Sequence, residues 1–543
     1  MRTTTDPRDQ DATPPGGRVM PSLKTLVQRL GHYASATAVP IVCGLISYPL
    51  FTRKLAIEDY GTLALIQVMI ATSIAVTKLG LQNSIVRLWP VYDRDEAGRA
   101  SLGSTYFYAA LALGVIGLCI FGVLAFALHR SLPARMLWPL AAAALLVPIR
   151  TLASCAQNFL RARERSRLYA GLAAAGAGAG LIATTMFVLV LMPPRYRLVG
   201  FFLGGITAEA ALLAPSLRGG LQGIRVRPQA FSWALLRDGV WFGAPLMLFE
   251  VSTLALMMGD RVIIHVFWND VQLGLYAAAF SLALQVATVF TSSVELALVP
   301  MYTNLYEREG AAATRAFLAR GLRLYYLVAL PMIAGLWAVR SDLIEVLASR
   351  KYADAKSLVP VLLAGFLIFG SRSFFGAGLF IGKRTRVTGS IACGGAVLNL
   401  ALNLVLVPRY GIMGSAAATA LSLLLVVGTI AVWSRRLLPF DLSVARFGLY
   451  AAGAALMALA AHAVTFVPPH QGTLAQHGAQ LVVRVATGVV VYGTFALAVE
   501  PELRRGARRV LGRLRARRAR AAAHPGPAPG RVAAISGVSH KPC

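Results

Sequence analysis

The chain has 543 residues, of which 57% are hydrophobic and only 14% charged, and its formal net charge is +30. Mean hydropathy is +0.64, and apolar windows of about twenty residues recur along the whole length, which excludes a soluble domain and marks a polytopic helical membrane protein. The arginines lie between the apolar spans and in the tail, so the positive charge reads as membrane orientation and no nucleic-acid partner is expected.

Residues 1–30 are polar and of mixed charge, with Pro14-Pro15-Gly16-Gly17, and are expected to be disordered and cytoplasmic. They lack the short apolar core and small-residue cleavage site of a secretory signal. Fourteen apolar spans follow, at about 31–51, 62–80, 102–128, 136–160, 168–192, 198–217, 239–265, 271–299, 318–340, 357–381, 387–407, 412–433, 444–467 and 479–499. With the first residue inside, the inner loops carry Arg87, Arg94 and Arg99, then Arg161 to Arg167, then Arg218, Arg225, Arg227 and Arg237. Arg308 and Arg315, Lys383 to Arg386, Arg435 and Arg436 continue the series. An even number of spans keeps that alternation, and it places both termini in the cytoplasm.

The two halves repeat. Arg161, Arg163, Arg165 and Arg167 make a basic turn, and Pro194-Arg195-Tyr196 and Gly200 follow. Lys383, Arg384 and Arg386 make another, followed by Pro408-Arg409-Tyr410 and Gly414, at an offset of 214. Tyr60-Gly61 and Leu273-Gly274 agree at 213. Six spans per half give two parallel repeats related by an axis along the membrane normal. The expected division is a disordered segment 1–30, a first lobe 31–218, a cytoplasmic linker 219–238, a second lobe 239–434, two extra helices 444–499 and a basic tail 502–543. Nine arginines fall between Arg504 and Arg520, which suits contact with anionic lipids of the inner leaflet.

An ionised side chain at membrane depth is costly and seldom persists without a use. Arg150 and Arg372 each stand in the fourth span of a half, where a guanidinium fork suits phosphate oxygens. Ser154, Gln157, Asn158 and Arg161 continue one face from Arg150, and Ser281, Gln285, Thr288, Ser292 and Glu295 form a second polar stripe. Asn399 and Asn403 make a third, four residues apart. Such faces point at water or at protein, and interhelical hydrogen bonding is the plainer use of the small polar residues. Three carboxylates, Glu209, Glu250 and Glu295, either neutralise the arginines or bind a coupling ion. Glu250, nearest a span centre, is the best coupling candidate. Asp260 and Arg261 are expected to form a local structural pair. The five cysteines have no metal or redox spacing, and with no nucleotide-binding loop in the sequence neither a metal nor another cofactor is expected, nor an enzyme.

Several short patterns occur in a telling order. They are Leu55 to Gly61 (LAIEDYG), Gly259-Asp260-Arg261, Gly274-Leu275-Tyr276, and Asn399 to Asn403 (NLALN) with the Pro-Arg-Tyr-Gly turn and Gly414 to Thr419 (GSAAAT) after it. Over about residues 30–435 the chain resembles Wzx-type polysaccharide flippases of the multidrug/oligosaccharidyl-lipid/polysaccharide exporter superfamily. The resemblance implies an all-α membrane protein with two six-helix lobes around a central cavity. It implies an isoprenoid-diphosphate-linked oligosaccharide as substrate, carried to the outer leaflet of a bacterial cytoplasmic membrane, alongside polysaccharide polymerase and export machinery. Arg150 and Arg372, with Gln157, Asn158, Gln285, Asn399 and Asn403, would then line the diphosphate and sugar cavity. A cation-coupled small-molecule exporter and a scaffold of a polysaccharide assembly complex are the alternatives.

Overall fold

A computed structural model describes residues 23–127, 134–440, 443–467, 472–501 and 503–505. Eleven helices among them are long and apolar enough to cross a membrane. Two of these each turn back at a glycine in the left-handed region, Gly310 (φ 81°) within Asp270–Leu347 and Gly411 (φ 59°) within Thr385–Arg435. Dividing both at their glycines and adding the first helix, Leu23–Lys54, brings the number to fourteen.

The helices of the first half are α1 (Leu23–Lys54), α2 (Ile57–Tyr92), α3 (Glu96–Ala127), α4 (Met136–Ala162), α5 (Ser166–Leu191) and α6 (Pro194–Gly220). Those of the second are α7 (Trp233–Met258, continued as Asp260–Phe267), α8 (270–309), α9 (311–347), α10 (Leu358–Phe375, continued to Ile381), α11 (385–410) and α12 (412–435). Two more, α13 (Val444–Ala463) and α14 (Leu474–Val499), complete the set. The first helix starts at Leu23, inside the segment expected to be disordered. The expected basic tail lies, beyond Arg505, outside the described residues.

Large apolar side chains such as Val123, Phe126, Val190, Trp241, Val397 and Val489 stand exposed around the outside, as a hydrocarbon solvent requires. The interior is held by Tyr276, Phe280, Leu362, Phe366 and Leu423, all buried. The arginine-rich loops share one end of the bundle, called here the basic end.

At the opposite end the two halves meet directly. A Cβ on Gly61 of α2 would overlap the backbone carbonyl of Asp270, and one on Gly274 of α8 would overlap that of Ile57. The two repeat-related glycines therefore lie in the same crossing, each giving the other helix room for its backbone. The Tyr48 hydroxyl of α1 donates to the Ala278 carbonyl at 3.1 Å, and Lys351, after α9, donates to the Leu55 carbonyl. Burial pulls the Lys351 ammonium below the usual lysine range, against the opposing pull of Glu58 and Asp59.

The extra helices dock on α9. Tyr492 donates to the Leu327 carbonyl at 2.9 Å, and Leu327, Tyr450, Ala454 and Met457 pack with it. Toward the opposite end, Arg484 reaches Asp342 at 2.6 Å, and His477 stands between Asp342 (2.9 Å) and Glu345 (3.0 Å). Charges buried this deeply hold only because they are paired.

Gly274→Ala should keep that end from closing. With the native cysteines replaced and Ser281→Cys introduced about two helical turns below the crossing, labelling by a membrane-impermeant maleimide should rise several-fold in the alanine variant. Equal labelling in both backgrounds would show that the glycine crossing is not the seal.

Candidate functional site

Among the described residues, three part-exposed carboxylate–cation pairs stand out within the spans. Arg150 of α4 grips Glu209 of α6 through two nitrogens, Nε at 2.9 Å from Oε2 and Nη2 at 2.6 Å from Oε1. Arg372 of α10 meets Glu295 of α8 at 2.9 Å, where Ser373 also donates at 3.3 Å. The guanidinium of Arg372 lies 4.2 Å over the Phe369 ring. Lys78 of α2 binds Oε1 of Glu250 of α7 at 2.8 Å, and Gln82 donates to its Oε2 at the same distance. At about 1.5 Å per residue, all six residues lie roughly 13–26 Å along their helices from the basic end.

Local structure explains the third pair. Helix α2 breaks at Leu79 (φ 48°) and Gly80 (φ 69°), just after Lys78. Gly80 sits flush against Gly243, where a Cβ would overlap the Gly243 backbone, so α2 and α7 touch main chain to main chain. Ser84 donates to the Gly239 carbonyl at 2.8 Å, and Arg87 covers the Phe242 ring at 4.2 Å. Irregular backbone at membrane depth is tolerated where protein or a cavity covers it, and here it delivers Lys78 to Glu250. The pair also joins the two halves of the chain, which the other two pairs do not.

All three pairs are part-exposed; side-chain exposure is 41% for Arg150 and 32% for Glu209, and 35% and 32% for Arg372 and Glu295. They face neither a dry core nor open solvent. The α8 stripe shares that condition, since Ser281, Gln285, Thr288, Ser292 and Glu295 are all half-buried. Gln285 approaches α1 at Gly44, and its Oε1 has no protein partner. Gln157 is half-buried on α4.

Other residues expected to line a cavity are occupied elsewhere. Asn399 and Asn403 are fully buried. The Asn403 amide donates to the Asn399 carbonyl at 2.9 Å, its oxygen accepts from Ser415 at 2.8 Å, and Asn399 donates to Ser422 at 3.4 Å. These bonds lock α11 to α12, which is the interhelical use of small polar residues. Asn158 is also buried, donating to Ser154 at 2.8 Å and accepting from Arg161 at 3.3 Å. Glu250, expected as the best coupling candidate, is paired with Lys78. Asp260 is fully buried with Arg261 at 3.4 Å, the Thr419 hydroxyl at 3.3 Å and the Tyr276 hydroxyl, so it ties α7, α8 and α12. Lys78 is the site residue that sequence reasoning missed, because a lysine near the end of the apolar span 62–80 is ordinary.

This helix order is the fold of solved flippase and exporter structures. The lipid II flippase MurJ, in an inward closed conformation, superposes with TM-score 0.68 over 87% of this chain and 99% of its own, at 13% identity. A multidrug resistance MATE family transporter of the MOP superfamily, inward-facing, gives 0.62 over 74% and 97%, at 12% identity. The chain belongs to the polysaccharide biosynthesis protein family, whose match covers residues 50–357. An uncharacterized membrane protein of Methanocaldococcus jannaschii is 28% identical over 195 residues, and the aligned stretch is 35% of this chain and 37% of that relative.

Two outcomes separate site from scaffold. Asn403→Ala should lower stability by about 1–3 kcal/mol, because Ser415 loses its buried acceptor, and should leave ligand binding unchanged. A double-mutant cycle on Arg150 and Glu209 should return a coupling near the lower end of about 0.5–3 kcal/mol, since both side chains are partly solvated. Thermal unfolding in one detergent reads both.

Proposed function

We propose that the protein is a flippase for an isoprenoid-diphosphate-linked oligosaccharide, moved from the basic, cytoplasmic side to the opposite leaflet by alternating access. The observation that carries this reading is the pair of guanidinium–carboxylate contacts, one in each six-helix repeat, held half-exposed inside the membrane on a flippase fold. A diphosphate entering between the repeats competes with Glu209 and Glu295 for the same forks of donors. Arg150 and Arg372 take the phosphates, and the displaced carboxylates are free to accept protons or turn to water. Gln285, with its unpartnered oxygen, and Gln157 offer contacts to sugar hydroxyls. The isoprenoid tail stays in lipid.

Release requires the glycine crossing at the far end to part, while the Lys78–Glu250 contact between the halves is remade. Moving negative charge outward is aided by an inside-negative potential, by about 2.3 kcal/mol per charge per 100 mV. A separate coupling ion is therefore optional. An organic cation would have to displace the cations already held by Glu209, Glu250 and Glu295, and a displaced arginine, unlike a displaced carboxylate, cannot shed its charge. A scaffold in a polysaccharide assembly complex gives the paired charges nothing to do.

Liposomes containing only this protein and a fluorescent isoprenoid-diphosphate sugar test the proposal. Wild type should move the lipid between leaflets, and the Arg150→Gln/Arg372→Gln double variant should lose at least about tenfold in rate, the cost of 1.4 kcal/mol. Full activity in the double variant would remove the anion site. No movement by folded wild type, with or without a membrane potential, would overturn the flippase reading.

A further inference from the structure

A cavity lies away from the three charge pairs. It has a volume of about 610 Å³ and opens at the basic end between α9, α10 and α13. Arg320, Arg323 and Arg446 line it together with Tyr326, Phe375 and Phe447. Cationic forks beside apolar and aromatic walls suit an anionic amphiphile, with a phosphate for the arginines and chains for the rings.

The charges support this. Glu500 is buried beside the cavity and takes Arg446 at 3.5 Å, Arg323 at 3.8 Å and the Tyr450 hydroxyl. Arg446 meets that carboxylate through Nη1, and its side chain is 48% exposed. In sequence, Asp441 precedes Ser443 by two residues, and Glu502, Arg504 and Arg505 follow Glu500. Ser443 caps α13 by accepting from the Arg446 amide at 3.4 Å, so the positive end of that helix also points here.

We propose that this cavity holds the headgroup of an anionic phospholipid from the adjacent leaflet. The phosphate sits on Arg446 and Arg320, and the acyl chains run along Phe375 and Phe447. The lipid would tie α13 to α9 and α10, and one side chain links it to the first site. Tyr326 stacks edge-on with Phe447 at 5.3 Å, and its hydroxyl donates to the Ser371 hydroxyl at 3.1 Å, one residue before Arg372.

The test is binding, not transport, so it stands apart from the flippase proposal. Full-length delipidated protein is titrated with short-chain phosphatidylglycerol and with the matching phosphatidylcholine, read by native mass spectrometry. Phosphatidylglycerol should bind saturably and at least about tenfold tighter, one decade being 1.4 kcal/mol. Arg446→Gln should lose most of that preference and Arg446→Lys should recover part of it, with Lys also reporting that the fold is intact. Equal affinity for the two lipids, or a preference unchanged in both Arg446→Gln and Arg320→Gln, would overturn the proposal. Displacement of the lipid by farnesyl diphosphate at lower concentration would overturn it in favour of a substrate entry site. Displacement by inorganic phosphate with equal affinity would reduce it to a phosphate site.

Discussion

A charge in hydrocarbon persists only when an opposite charge is held against it, and the interior is arranged around that rule. Two unit charges at about 4 Å attract by roughly 4 kcal/mol at an effective dielectric near 20, and by only about 1 kcal/mol in water. The part-exposed pairs sit between these limits. They are strong enough to let Arg150, Arg372 and Lys78 stay charged inside the bundle. They are weak enough that a ligand with two phosphates competes with one carboxylate. A lone arginine would be too costly to keep, and a pair sealed in a dry core would be too costly to open.

The opposite requirement, close approach without charge, is met by glycine. Gly61 with Gly274 and Gly80 with Gly243 bring backbones together between the two halves of the chain. Side-chain interlocking would fix such contacts in one register. Bare backbone against backbone leaves a smooth contact with no interlocking side chains. The break at Leu79 and Gly80 adds that Lys78, on one half, reports the position of Glu250 on the other. The extra helices take no part in these crossings. They are held to α9 by the buried cluster of Asp342, Glu345, His477 and Arg484.

Helix number and order were legible because hydrocarbon thickness sets a length and loop arginines set a side. The repeat was legible in Gly61 and Gly274, although nothing in one dimension said that the two would touch. The charged site was half legible. Arg150, Arg372, Glu209, Glu250 and Glu295 stood out as ions in apolar spans, but which carboxylate answers which cation depends on helix packing. Lys78 was hidden because it lies at the end of an apolar span, where lysine is ordinary; the αL break that places it is a tertiary feature. Asn399 and Asn403 misled because spacing places them on one face but cannot say what the face meets. Here it meets Ser415 and Ser422 of the next helix.

The repeat also shows where symmetry stops. The offset of 214 carries Arg372 onto Asn158, and 213 carries Glu295 onto Gln82. The ion pair of the second half therefore stands where the first half has two amides, and Gln82 is the residue that bonds Glu250. The first half places its ion pair elsewhere, on α4 and α6, at positions whose counterparts are Ala364 and Leu423. The backbone is duplicated while the charges are not. Under the proposed function, a diphosphate would meet Arg150 and Arg372 at unequal places in the two halves, and a substrate with a diphosphate at one end and sugars at the other is asymmetric in the same sense.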